Sequence, residues 1–135
     1  MISSKVSGVG KSVRVLESRL KSIRMGLAKA VLETAYDIES ETKQNTRVDT
    51  GRARASVHVE GFGMLTFSYT AAGNTYTGGF TKKAKDPYEA YVGSNVEYFV
   101  FLENGTYNRA GDHMLRNATR ANMPKLRENV KKILR

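Results

Sequence analysis

The residues able to do chemistry are few and scattered. There are two histidines, His58 and His113, and no cysteine. His58 falls in a β-prone run and His113 at an expected helix start, and neither has a second histidine or a carboxylate at metal-ligand spacing. Without cysteine there is no disulfide framework and no thiolate metal site. No nucleophile elbow, Walker-type phosphate loop or HExxH pattern occurs. Asp49-Thr50-Gly51 has the letters of an aspartic-protease site, but that chemistry needs two facing carboxylates and one is present. A homodimer could supply the pair in principle. The flanking Arg47, Val48, Arg52 and Ala53 do not form the apolar strands that hold such an aspartate. The expectation is a protein with no enzymatic activity and no catalytic, cofactor or metal site.

Binding chemistry is better represented. Residues 71–87 (AAGNTYTGGFTKKAKDP) have the composition of a long exposed loop, holding Tyr76 and Phe80 beside Lys82, Lys83 and Lys85. Aromatics in such a loop either anchor a partner or fold back on their own sheet. Glu97 and Glu103 bracket the apolar run Tyr98–Leu102. At a sheet edge such acids discourage wrong pairing. Glu103, directly after that run, calls for an ion-pair partner; Arg52, Arg54 and Arg109 are the candidates within the chain.

The elements that would position these residues follow from periodicity. Val13, Leu16, Leu20, Ile23, Leu27, Val31, Ala35 and Ile38 recur at three- and four-residue steps, which predicts an amphipathic helix over about 12–45. Residues 1–11, rich in Ser and Gly near the start, are expected to be a flexible arm before a single domain at 12–135. So long a helix cannot bury its whole stripe against one small sheet, so part of it is expected to pack on another chain. Two β-prone runs, about 53–60 and 64–70, read as a hairpin around Gly61-Phe62-Gly63. A further strand lies at 88–93. Tyr98–Glu103 is too short for periodicity to separate strand from helical turn. A last helix begins near His113 or Met114, and Pro124 should kink or split it. The fold class is α+β: a long N-terminal helix and a C-terminal helix packed on a small antiparallel sheet.

The formal net charge is +9. Residues 1–30 carry seven bases against one acid, and residues 111–135 seven against two. Basic ends fit nucleic acid, an acidic membrane or an acidic protein surface, and equally a pair of solvated helix faces. The start, Met1-Ile2-Ser3-Ser4-Lys5, leads into charged residues and argues against a signal peptide. No segment approaches the roughly 20 apolar residues of a membrane span.

Two segments together resemble the tail-component family of long-tailed phages, first named in the Hong Kong lambdoid phage. One is Val48-Asp49-Thr50-Gly51-Arg52-Ala53-Arg54-Ala55-Ser56 directly after the long helix. The other runs from Tyr98 through Leu102-Glu103-Asn104-Gly105-Thr106 to Arg109-Ala110 and Met114-Leu115-Arg116-Asn117-Ala118. The resemblance spans roughly residues 12–134. Departures are Arg47 for a common Pro, Ala53 for Leu, His113-Met114 for Pro-Phe, and Asn117 for Pro. It implies a structural virion protein of the tail or neck, assembled in the host cytoplasm, acting in head–tail joining, tail completion or tail termination. It implies a cyclic homo-oligomer, a hexamer or dodecamer, around the DNA channel, contacting adjacent neck and tail-tube proteins. The matched segments make Asp49, Thr50, Gly51, Arg52, Tyr98, Glu103, Gly105 and Thr106 assembly candidates, and the loop composition adds Tyr76, Phe80, Lys82 and Lys83. Arg14, Lys21, Arg24, Lys131 and Lys132 are candidates to face DNA through sequence-independent phosphate contact. The rival reading is a stand-alone basic nucleic-acid-binding protein; it lacks a recognised binding motif and aromatics interleaved among its basic residues.

Overall fold

The computed structural model describes residues 2–49, 51–64 and 67–135. Helix α1 runs Val9–Asn45, 37 residues or about 55 Å, starting earlier than the expected position near 12. Helix α4, Met114–Leu134, returns antiparallel along its C-terminal part. Asn122 Nδ2 donates to Glu41 Oε2 at 2.7 Å near one end, and Arg19 Nη2 to the Arg135 carbonyl at 3.2 Å at the other. Small residues let the helices approach. Ala30, Thr34, Ala35 and Thr42 on α1 are buried, as are Ala118 and Asn122 on α4. The buried hydroxyls of Thr34, Thr42 and Thr46 donate to carbonyls one turn back, at 2.9, 2.7 and 2.6 Å, so none is buried without a partner.

Pro124 neither breaks nor divides α4, which continues from Met114 to Leu134. Pro124 and Arg120 are both exposed, so the carbonyl the proline leaves without an amide partner is positioned to meet water. The packed face carries the helix across.

Between the helices, the described residues form three two-stranded antiparallel ribbons, not one sheet. Strand β1 (His58–Gly61) pairs with β4 (Ala90–Gly93), placing Val59 opposite Val92. Strand β2 (Phe67–Ala71) pairs with β3 (Asn74–Gly78), placing Tyr69 opposite Tyr76. The expected hairpin between the runs at 53–60 and 64–70 therefore does not form. The first run also divides: Arg52–Ser56 is a short helix, α2, and only His58–Gly61 is strand. The expected loop at 71–87 loses its first half to β3. Ala72 and Gly73, with φ of 50° and 78°, make the two-residue turn into it, a left-handed pair that suits the twist of a hairpin. Tyr98–Glu103 resolves as helix: α3 spans Phe99–Asn104. A last ribbon joins β5 (Gly105–Thr106) to β6 (Arg109–Ala110).

Ala53, Val57, Tyr69, Ala71, Val96, Phe99 and Met114 form one buried cluster that ties α2, β2, α3 and the start of α4 together. Long N-terminal helix, C-terminal helix and small antiparallel ribbons make the class α+β, as the sequence implied.

Candidate docking cleft and basic helical limb

The two motif segments, some fifty residues apart in sequence, face each other across one cleft of about 660 Å³. Arg47, Val48, Asp49, Gly51 and Arg52 line it from the α1–α2 connection, and Tyr98, Leu102 and Arg109 from α3 and β6, with Ala71 and Tyr76 between. Gly51 stands at φ 81°, a left-handed geometry that only glycine adopts without cost, and its carbonyl accepts from the Ala55 amide at 2.9 Å to start α2. Thr50 lies outside the described residues. The Arg52 guanidinium sits 4.3 Å from the centroid of the Tyr76 ring. A hydrogen bond with Tyr69 holds its pKa above the ordinary arginine value against partial desolvation, so it is a fixed cation. Arg47 and Arg109 converge on one carboxylate, reaching Asp112 at 3.1 and 3.3 Å. The cleft thus presents arginines and tyrosines over an apolar floor, a composition suited to a protein partner.

Glu103 does not pair with Arg52, Arg54 or Arg109. Its two oxygens accept the Leu115 and Arg116 amides, each at 3.0 Å. Helix α4 has no side-chain cap of its own, because His113 stands at φ 50° with no capping bond. Glu103 supplies that cap from α3, satisfying two first-turn amides and placing negative charge at the positive end of the helix dipole. Gly105, at φ 88°, and Gly111 complete this corner. A Cβ on Gly111 would stand 2.3 Å from the Glu103 carbonyl oxygen, so only glycine fits. Thr106 pairs with Arg109 in the β5–β6 ribbon, which lifts a fully exposed Tyr107 at its tip.

Tyr76 and Phe80 are engaged within the chain. Tyr76 stacks on Tyr69 with centroids 5.2 Å apart. Phe80 stacks on one face of His58 at 4.3 Å, and Phe67 on the other at 4.0 Å. His58 is fully buried, its Nδ1 2.8 Å from the Ser56 carbonyl and its Nε2 3.1 Å from Glu60 Oε1. Glu60, also buried, accepts the Phe80 amide and the Lys83 ammonium, each at 2.8 Å. Burial alone would push the Glu60 carboxyl up; the hydrogen bonds from Lys83, His58 and Phe80 outweigh it and hold the carboxyl below its ordinary value. Glu60 therefore straps the 79–83 segment to β1, while Lys82 is left exposed. The sequence reading missed Glu60. Its one signal was an acid between Val59 and Gly61 in a β-prone run.

The second feature is the limb made by α4 and the N-terminal part of α1. Residues 9–28 and 114–135 together carry twelve bases against Glu17 and Glu128. Arg14, Lys21, Arg24, Lys131 and Lys132 are all exposed on it. Helix α4 ends beside Arg19, so the first ten residues of α1 run about 15 Å past it. Residues 9–22 are exposed throughout, including Val9 (64%), Val13 (43%), Leu16 (61%) and Leu20 (51%).

Among the described residues no cluster of three or more His, Asp or Glu gathers to hold a metal ion, and no helix is long and apolar enough to cross a membrane. No curated protein and no solved structure matches the chain. A family profile does, over residues 13–105, described as "Bacteriophage HK97-gp10, putative tail-component". The match takes in α1 from Val13 on, the Asp49–Ser56 segment and Tyr98–Gly105, and stops before the Arg109–Ala118 stretch. With well over half its length matched, this chain belongs to the HK97-gp10-like family of bacteriophage tail components.

Proposed function

We propose that this tail component is a non-catalytic ring subunit at the head–tail interface, acting in head–tail joining or tail completion around the DNA channel. The carrying observation is the run of exposed α1 residues from Val9 to Ser22, with four large apolar side chains on one stripe. Helical stability in proteins comes mostly from tertiary packing, so an arm this exposed gains stability by packing against another chain. Ring closure needs a heterologous contact, one patch meeting a different patch. The Arg47–Arg52 cleft is a second docking surface, for an adjacent neck or tail-tube protein. Arg14, Lys21, Arg24, Lys131 and Lys132 would face channel DNA without reading its sequence. Electron microscopy of the purified protein should show closed rings of six or twelve copies. A phage lacking the gene should accumulate filled heads and unattached tails. Purified protein that never assembles, alone or with tail proteins, together with normal virions from the deletion, would refute the reading.

The concentration of twelve bases on the limb also favours a second reading, a stand-alone DNA-binding protein. That reading expects strongly salt-dependent binding of duplex DNA by the isolated protein and no association with virion components.

A further inference from the structure

We propose that the exposed N-terminal arm of α1 in one copy packs onto an acidic patch with one aromatic on the next copy, formed by Glu33, Tyr36 and Asp37 on α1. This rests on the ring reading and names the contact that would build it.

The arm's apolar residues follow a strict spacing. Val9, Val13, Leu16, Leu20, Ile23 and Leu27 alternate by four and three, the repeat of a seam that pairs with another helix. Helix α4 covers the end of that seam from Ile23 onward and leaves the rest open. Lys11, Arg14, Arg19, Lys21 and Arg24 surround it, against Glu17 alone. Two such arms laid together would bring like charges into contact, which disfavours a symmetric arm-to-arm dimer and favours an acidic surface.

This chain carries such a surface. Glu33, Tyr36, Asp37 and Ser40 are exposed at helical spacing on one outer face of α1. Tyr36 is 47% exposed. Tyr36 also opens on a hollow with Met64 and Phe67. Among the described residues Glu33 pairs with Lys29 alone, an exposed contact at 3.5 Å of the kind that contributes little.

Arm and patch sit on the same continuous helix. Leu16 and Tyr36 are twenty residues apart, about 30 Å along the axis, so they cannot meet within one chain. They can meet only between copies. Made head to tail, as proposed, the contact propagates by rotation and either closes a ring or continues as a filament, whereas two antiparallel copies exchanging arms would stop at a dimer.

The test uses two surface variants of the full chain, L16S/L20S on the arm and E33K/D37K on the patch, followed by sedimentation at low ionic strength. All four side chains are exposed, and circular dichroism should confirm an unchanged fold. Wild type is expected to form species larger than a dimer, and each variant to self-associate at least tenfold more weakly. An equimolar mixture should form a one-to-one heterodimer, because each variant supplies one intact half of the contact. If E33K/D37K assembles like wild type, the patch is not the contact, and the ring reading survives without this inference. Wild-type dimers lost in L16S/L20S but kept in E33K/D37K would mean that arms pair with each other. A wild type that stays monomeric overturns both the inference and self-assembly into a ring.

Discussion

Glu60 and Glu103 show what single carboxylates do in this chain. The folded Glu60 carboxyl holds its proton less tightly than the unfolded one, whose ordinary value is 4.5. Between those two values the unfolded chain binds more protons, so stability rises with pH there. The Glu60 contribution is complete above about pH 4.5 and is lost as pH falls through the lower folded value. Replacing Glu60→Gln should flatten the acid limb of the stability curve, followed by thermal melts from pH 7 down to 3; an unchanged limb would mean that other carboxylates dominate. Glu103→Ala removes the cap of α4 and should cost about 1–2 kcal/mol in denaturant unfolding. Gly111→Ala forces a methyl group against the Glu103 carbonyl and should cost roughly 3 kcal/mol. The sequence made Glu103 conspicuous but not its role. An acid after an apolar run looks like half of an ion pair until the next helix is known to start with an uncapped turn beside it. Glu60 was harder to see, because its partners Phe80 and Lys83 lie about twenty residues away, across two ribbons.

At the scale of elements, periodicity was legible where it was long. The stripe from Val13 to Ile38 and the one from Met114 to Leu134 placed both helices, because many residues repeat the same step. The short elements were not legible, for pairing is a tertiary choice. Neighbouring β-prone runs suggested a hairpin, yet β1 pairs with β4, while β2 pairs with β3 through the Ala72-Gly73 turn. Gly61-Phe62-Gly63 looked like the stronger turn only because two glycines stand there. Tyr98–Glu103 became helix because Phe99 enters the core while Val100 and Phe101 stay exposed, a one-sided burial that local sequence does not encode. Pro124 was expected to disturb α4, and the packed face overrides it. Pro124→Ala restores an amide donor on the exposed side and should stabilise the chain by about 2 kcal/mol, raising Tm by several degrees. Unchanged Tm would mean that the proline is already relieved by a local bend.

For the whole molecule, the separation of charge and of apolar exposure sets the behaviour. The helical pair formed by residues 9–28 and α4 is strongly basic, whereas residues 29–113 carry nine bases and eleven acids. Channel DNA contact through Lys131 and Lys132 would be phosphate-based. Lys131→Gln with Lys132→Gln should therefore weaken duplex binding equally for all sequences and lower the salt slope by about two. The family was legible because its two motif segments stand in order along the chain; the cleft they line was not, since Ala71 and Tyr76 enter it from a stretch that read as loop. On the ring reading α1 is completed by another copy, and hydrogen exchange at the amides of residues 9–22 measures that. Dilute monomer should exchange there nearly as fast as unfolded chain, and the assembled protein should slow that exchange at least a hundredfold. Equal exchange in monomer and assembly, whether fast or slow, would contradict the account.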